Sequence, residues 1–149
     1  MKRVHYNDFP ELVGQDLGAS DWVEITQEKV NEFAEATGDF QWIHVDVERA
    51  TKELGSPIAH GFLTLSLCSQ LMMTILEFDG IKNALNYGCN KVRFTNFAPV
   101  GCRLRMKMKL LSAEPKAGGM QIINQCEVEI ENVDKPACVA EIITLLQPA

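Results

Sequence analysis

The stretch Gly61-Phe62-Leu63-Thr64-Leu65-Ser66-Leu67-Cys68-Ser69-Gln70-Leu71-Met72-Met73-Thr74-Ile75-Leu76 contains no charged residue. On a helix drawn through it, apolar side chains occupy nearly every side, and mainly small hydroxyl groups lie between them. Such a helix must be buried on most sides, because it has no polar face to turn to water. It is too short and too polar to cross a bilayer, which takes ~20 apolar residues. The stretch therefore predicts a long buried central helix.

The chain after this helix is predicted to form strands. Alternating or β-branched residues are separated by clusters of glycine, proline and asparagine. The predicted strands are Ala84–Phe97, Arg103–Ala113, Met120–Glu131 and Cys138–Leu146. A buried helix followed by four long strands indicates an α+β fold, with an antiparallel sheet wrapped around the helix. Such a sheet leaves an edge open, which a second copy could cover, so we expect a homodimer.

The region before the central helix carries clear helix boundaries. Thr26 is a suitable N-cap for a helix over Gln27–Thr37, and Gly38 is typical of a helix end. Asp46 is a suitable cap for a second, short helix over Val47–Leu54. With 149 residues and 46% hydrophobic residues, the whole chain 1–149 is expected to form a single domain.

A carboxylate and an imidazole stand together between these two helices, in Asp39-Phe40-Gln41-Trp42-Ile43-His44. Imidazole titrates near pH ~6.5, so an Asp–His pair can take and give protons at neutral pH. On an α-helix, residues five positions apart point roughly 140° away from each other. We therefore expect Asp39 to His44 to form a loop that folds both side chains toward one point.

These residues resemble a known family. Gly-Asp-x-x-x-x-His at Gly38 to His44, followed by Pro57-Ile58-Ala59-His60-Gly61 and an apolar helix, is similar to the MaoC-like hydratases. That family comprises (R)-specific enoyl-CoA hydratases and 3-hydroxyacyl-CoA dehydratases. The stretch Leu85-Asn86-Tyr87-Gly88-Cys89-Asn90-Lys91-Val92-Arg93-Phe94 brings the chain nearer to the nodulation-protein-N-like branch. The resemblance runs from about Trp22 to Val100. The best-known hydratases carry Asn-Pro where this chain has Gln41-Trp42.

The resemblance implies a hot-dog fold and a dimer with a continuous sheet. It also implies reversible hydration of a trans-2-enoyl-CoA, or of the same acyl group on a carrier protein, to the (R)-3-hydroxyacyl thioester. Asp39 and His44 are then the catalytic residues, acting on one water, and no metal or organic cofactor is expected. The amide of Gly61 faces the thioester carbonyl, as an unpaired N–H at a helix start can.

Two further residues are counted with Gly61 as candidate substrate-binding residues. His60 either transfers protons or fixes the start of the helix by hydrogen bonding. Ser69 matches a family serine that helps to place the Asp and the His. Alternatively, its hydroxyl bonds the carbonyl four residues back along the helix.

Charge and cysteine usage limit the possible partners and location. The net charge of −6 is spread along the chain without a basic block, so nucleic acid is an unexpected partner. Lys91, Arg93, Arg103 and Arg105 either meet the phosphates of a CoA or carrier arm or are solvated charges on strand faces. Five scattered cysteines predict reduced thiols. With a polar N-terminus and no membrane segment, we expect a cytoplasmic protein.

Two other function classes compete with the hydratase. A hot-dog thioesterase typically places a carboxylate on the central helix, whereas this helix has none before Glu77. A non-catalytic acyl-thioester-binding module could keep the same fold. Loss of Asp39 or His44 would favour that module, but both residues are present.

Overall fold

The computed structural model describes every residue from Met1 to Ala149 and contains eight strands, four α-helices and one 3₁₀ helix. The helices are the 3₁₀ helix Tyr6–Leu12, α1 Gln27–Thr37, α2 Trp42–Val45, α3 Val47–Leu54 and α4 Gly61–Ile75. The strands are β1 Lys2–His5, β2 Asp16–Ala19, β3 Val23–Glu24, β4 Leu76–Asp79, β5 Ile81–Arg93, β6 Arg103–Lys116, β7 Gly119–Ile130 and β8 Cys138–Pro148.

Six strands form one antiparallel sheet in the order β2-β6-β7-β8-β5, with β3 also pairing with β6. Alternate side chains of β6 point into the core, and Leu104, Met106, Met108 and Leu110 are all nearly inaccessible to solvent. This is the period-2 pattern of a sheet with one covered face. Together with the long helix α4, the sheet forms the predicted α+β hot-dog fold, which is confirmed.

Helix α4 packs one side on the sheet. Its buried residues recur at helical spacing: Leu63, Thr64, Leu67, Cys68, Leu71, Met72 and Ile75. On the other side Phe62 is 67% exposed and Met73 is 66% exposed. A single chain therefore covers less of this helix than its apolar composition predicts, because the sheet reaches only one side of it.

Strand β5 lies at the end of the sheet order and pairs only with β8. Its central residues, 84–91, are exposed on both faces, including the large side chains of Leu85 and Tyr87. The side-chain amide of Asn86 donates to Ser69 Oγ of α4 at 3.4 Å. The open sheet edge and the uncovered side of α4 are thus adjacent.

The boundaries predicted for α1 and α3 are confirmed. Thr26 Oγ1 accepts a hydrogen bond from the amide of Lys29, and Gly38 ends α1 with a left-handed φ of +80°. The Asp46 carboxylate accepts from the amide of Arg49 at the start of α3. The expected loop from Asp39 to His44 is wrong in its second half, since residues 42–45 form the single turn α2.

Residues 21–26, whose alternation predicts a short strand, contain β3 at Val23–Glu24. The segments before residue 21 and directly after α4 were not assigned from the sequence. Strand β1 pairs in parallel with β4, which begins at Leu76 where α4 stops. Both strands are only four residues long, so their hydrophobic pattern is too short to be recognised. None of the helices is long and apolar enough to cross a bilayer.

All five cysteines carry free thiols. Cys68, Cys126 and Cys138 are buried, whereas Cys89 is exposed on β5. Burial raises the pKa of Cys126 to about 12 and that of Cys138 to about 11. These two thiols stay protonated at neutral pH and act as small core side chains.

Candidate functional site

Three side chains from two segments of the chain, 39–44 and 57–60, converge near the N-terminal end of α4. One polar atom of Asp39, one of His44 and one of His60 all lie within 4.8 Å of one another. His44 is 6% exposed, His60 is 2% exposed, and Asp39 is half-buried. The expectation that Asp39 and His44 point toward one place agrees with this geometry, and His60 joins them.

Local structure brings Asp39 and His44 together. After Gly38 ends α1, the Asp39 carboxylate accepts a hydrogen bond from the amide of Gln41 at 3.3 Å. The single turn α2 then turns the chain back, and Gln27 of α1 donates to the main-chain carbonyl of His44 at 2.8 Å. The start of α1 therefore fixes the backbone of α2.

The segment Pro57–His60 forms the other wall of the site. The amide of Ile58 donates to the carbonyl of Ile43 in α2 at 3.0 Å, and the amide of Ala59 donates to the carbonyl of Ala98 at 2.8 Å. This short extended segment is held on both sides. It positions His60 at the site and places the carbonyl of Ile58 against His44 of α2.

The Ile58 carbonyl determines the proton arrangement on His44. Nδ1 of His44 lies 2.7 Å from the Ile58 oxygen. Because a carbonyl oxygen only accepts, Nδ1 donates, and in the neutral ring Nε2 keeps its lone pair. Burial lowers the pKa of His44 below its ordinary value; the bond to Ile58 opposes this change, and the neighbouring His60 adds to it.

His60 makes a side-chain hydrogen bond directly before α4, but this bond does not cap the helix. It occupies the N-cap position of α4, but its side chain makes no capping hydrogen bond. Instead its Nε2 donates to the main-chain carbonyl of Asp39 at 2.9 Å. Its ring stacks on that of His44, with centroids 3.8 Å apart and planes 24° from parallel.

Gly61 is the first residue of α4, so its amide has no acceptor within the helix. A side chain at this position would collide with an aromatic ring, because a Cβ on Gly61 would lie 2.9 Å from Phe94. The space beside Gly61 is therefore bounded by Phe94. Phe94 lies in the predicted strand Ala84–Phe97, but β5 ends at Arg93, and no role was predicted for Phe94.

A cavity of about 220 Å³ opens beside the site. It is lined by His44, Gly61 and Thr64 together with mainly apolar groups: Ile43, Ile58, Ala59, Phe94, Asn96, Phe97, Ala98 and Ala137. Sequence reasoning missed this wall beyond Gly61. In the sequence, only the pair of phenylalanines Phe94 and Phe97 pointed to this wall. In the structure Phe97 is 70% exposed despite its size.

Ser69 lies outside the cavity that His44 and Gly61 line. It is half-buried on α4, accepts from Asn86 of β5, and does not line the cavity. The bond to a carbonyl four residues back, considered for Ser69, is instead made by Ser66, whose hydroxyl donates to Phe62 at 2.7 Å. The structure thus does not bring Ser69 to the Asp39–His44 pair within one chain.

The three converging residues are also of the types that bind metal ions. However, the two imidazole planes are nearly parallel, so their in-plane lone pairs run side by side instead of meeting at one ion. Nδ1 of His44 and Nε2 of His60 are already bonded to carbonyl groups. The arrangement fits hydrogen bonding to a small molecule better than tetrahedral coordination.

Three of the four basic residues considered for phosphate binding form ion pairs. Arg103 pairs with Glu131, Arg105 with Glu129, and Lys91 with Glu141. Arg93 has no carboxylate partner and donates to the neighbouring main chain. Paired strand-face charges are therefore the better description of Lys91, Arg103 and Arg105.

Comparison with known proteins adds independent information. Residues 8–132 match the MaoC like domain. The chain is 50% identical over 138 residues to 3-hydroxyacyl-thioester dehydratase Z of Mycobacterium tuberculosis, covering 91% of each chain. It is 38% identical over 156 aligned positions to nodulation protein N of Rhizobium leguminosarum bv. viciae, covering 99% of this chain and 94% of that one.

Solved structures share the fold. The R-hydratase PhaJ1 from Pseudomonas aeruginosa superposes with a TM-score of 0.75 at 24% identity, covering 92% of this chain and 83% of the other. The (R)-hydratase from A. caviae superposes with a TM-score of 0.69 at 19% identity, covering 89% of this chain and 94% of the other.

Proposed function

The chain belongs to the MaoC like domain family and is a hydratase or dehydratase of that type. From this premise we propose that it interconverts a trans-2-enoyl thioester and an (R)-3-hydroxyacyl thioester. The observation that carries the proposal is the convergence of Asp39 and His44 beside an apolar cavity at the start of α4. The relative named as a 3-hydroxyacyl-thioester dehydratase supports the same substrate class.

The reaction moves the elements of one water. In hydration the water oxygen bonds the β-carbon, one water proton leaves, and a proton is delivered to the α-carbon. The water lies between the Asp39 carboxylate and Nε2 of His44, the nitrogen that is free of the Ile58 carbonyl. The dyad takes the proton that the water loses and gives one proton to the α-carbon, so both residues return to their starting protonation states. Dehydration is the same path in reverse. Metal and organic cofactors have no part in this proposal.

Charge on the thioester oxygen needs its own partner. We assign this role to the amide of Gly61, because the first N–H groups of a helix are unpaired and lie at the positive end of its dipole. The cavity wall at Phe94 and Phe97 would then lie against the bound thioester. The thioester arm is either CoA or a carrier protein.

The active form is proposed to be a homodimer in the cytoplasm, built from one domain per chain. The open edge of β5 and the uncovered side of α4 adjoin each other, and a second copy would cover both. Pairing of two such edges would give a continuous sheet. Ser69 lies at this boundary, and its contribution to substrate binding is part of the dimer proposal.

The test is a parallel assay with crotonyl-CoA, following loss of the enoyl thioester absorbance and release of free thiol. Absorbance loss without thiol release, abolished by Asp39→Asn, supports the hydratase. Thiol release would indicate a thioesterase. For that reaction α4 offers no carboxylate, and β4 offers only Glu77, which is exposed, and Asp79, which pairs with Arg3. Binding without either reaction would indicate an acyl-thioester-binding module.

A further inference from the structure

His60 contacts both residues of the proposed Asp39–His44 dyad while being almost inaccessible to solvent itself. Its Nε2 lies 2.9 Å from the main-chain oxygen of Asp39, twenty-one positions earlier in the chain. Its ring stacks on His44 at 3.8 Å and packs tilted against Phe33 at 4.8 Å. The same residue directly precedes Gly61, so its backbone supplies the peptide group that carries the proposed oxyanion donor.

The hydrogen bonds determine how His60 carries its proton. Because the Asp39 carbonyl only accepts, Nε2 of His60 donates, and Nδ1 keeps a lone pair in the neutral ring. That Nδ1 is buried and has no hydrogen-bond partner. A buried polar atom without a hydrogen-bond partner is costly, and an apolar ring would fill this space without leaving one. Packing alone therefore does not explain a histidine here.

We propose that His60 is a positioning residue for the reaction of Asp39 and His44. Its Nε2–H holds the Asp39 backbone, and its ring fixes the plane of the His44 imidazole, so that both groups face one water. The inference rests on the proposed function. His60 itself touches neither the water nor the thioester and transfers no proton.

Two replacements separate the hydrogen bond from the stacking. His60→Gln keeps an amide N–H that can reach the Asp39 carbonyl but removes the ring. His60→Phe keeps a ring against His44 but removes the donor. A displacement of about 1 Å at a reacting group costs on the order of 100-fold in rate. We therefore expect His60→Phe to lower kcat by roughly 10- to 100-fold with little change in KM, and His60→Gln to recover part of that loss.

The pH profile and NMR provide readouts that a purely structural role would leave unchanged. We expect the limb of the kcat profile that reports His44 to move in both variants, since His60 is a neighbour that lowers the pKa of His44, as does burial. The charged or titratable groups facing His44 are Asp39 and His60. Imidazole ¹⁵N shifts report the His44 tautomer and titration directly, whether or not a variant is active.

The outcomes distinguish this inference from the proposed function. If the wild-type protein does not hydrate crotonyl-CoA, the proposed function fails, and the NMR titration of His44 still tests its coupling to His60. If the wild type is active and Asp39→Asn is inactive, but His60→Phe keeps kcat within twofold and the His44 titration unchanged, the positioning role is wrong. Equal losses in the two variants without a shifted titration would also overturn it. Thermal unfolding of each variant confirms that the compared proteins are folded.

Discussion

The carbonyl oxygen of Ile58 lies 2.7 Å from Nδ1 of His44 and thereby leaves Nε2 as the ring nitrogen with a free lone pair. Ile58 can do this because its own amide is bonded to Ile43, one residue before His44. The carbonyl and the ring are thus held from the same backbone segment. An acid–base histidine whose tautomer is fixed by a main-chain group suits proton transfer in a defined direction.

The dyad prediction concerns Asp39→Asn and His44→Gln. Each should lower kcat for crotonyl-CoA hydration by ~10²–10⁴-fold, the usual contribution of a general acid–base group. Because both groups act on one water, the double variant should be scarcely slower than the slower single variant. Steady-state kinetics of the three proteins check this.

Asp46→Asn is the matched control for the dyad variants. Asp46 caps α3 through the amide of Arg49, and asparagine caps a helix equally well, so activity and stability should both be kept. Activity close to wild type in Asp39→Asn would remove Asp39 from the mechanism.

A second prediction follows from the lowered pKa of His44. The unfolded histidine titrates near pH ~6.5 and the folded one below that, so between the two values the unfolded state binds more protons. The contribution of His44 to stability is therefore fully present above pH ~6.5. It is lost as the pH falls through the folded pKa of His44.

The measurement for this second prediction is the urea midpoint of unfolding at pH 7.5 and at pH 5.5. The decrease on acidification should be smaller in His44→Gln than in the wild type, because glutamine does not titrate. An equal decrease in both proteins would mean that other groups account for the acid sensitivity.

The third prediction concerns Gly61. Gly61→Ala should reduce kcat/KM, because the new Cβ displaces Phe94 and crowds the amide that is proposed to bind the thioester oxygen. Loss of one such donor costs roughly 2.7–4 kcal/mol of transition-state stabilisation. Phe94→Leu alone serves as the control, and kcat/KM of each protein is measured with crotonyl-CoA.

The double variant Gly61→Ala/Phe94→Leu separates the two effects. It relieves the clash with the ring but keeps the methyl group beside the amide. We expect it to remain impaired. Full recovery would show that Gly61 matters only for the packing of Phe94 and that the thioester oxygen is bound elsewhere.

The fourth prediction concerns the open edge of β5. Leu85→Lys and Tyr87→Lys place charges on the exposed strand, where Leu85 is 46% and Tyr87 54% exposed in the single chain. Buried in an interface, these charges would be unpaired and costly, so the dimer should dissociate. Val13→Lys, at an exposed apolar site outside the sheet, is the control.

Light scattering coupled to size-exclusion chromatography measures this effect as a change in molar mass. A dimeric wild type, a dimeric Val13→Lys and monomeric β5 variants are expected. If the β5 variants remain dimeric, the copies associate through another surface and the continuous-sheet arrangement is incorrect.

Local signals made much of the fold predictable. Thr26, Gly38 and Asp46 act on backbone groups within a few residues of themselves. In the structure α1 begins after Thr26 and ends before Gly38, and α3 begins after Asp46, as predicted. The turn α2 was missed because its N-cap, Gln41, makes no side-chain capping bond. The Asn-Pro of the best-known hydratases would supply a good cap and a favoured first helical residue at those two positions.

Contacts between distant segments were less predictable. The spacing of Asp39 and His44 indicated a shared site, but the bond from His60 to the Asp39 carbonyl joins segments that only the folded chain brings together. The same holds for Phe94 against Gly61. The exposed side of α4 was also not predictable, because an apolar sequence does not distinguish burial in its own chain from burial against a second copy.

The last prediction is stereochemical. If one water lies between Asp39 and His44, the hydroxyl group and the α-proton reach the same face of the double bond, and the addition is syn. Hydration of crotonyl-CoA in D₂O, followed by determination of both new stereocentres, tests this, because deuterium marks the α-position. The (R) configuration at the β-carbon is a separate expectation, since pocket shape determines which face is presented. An anti product would place the water and the proton donor on opposite faces, which two side chains sharing one water cannot produce. A syn product with (S) configuration would leave the dyad intact and overturn the (R) assignment alone.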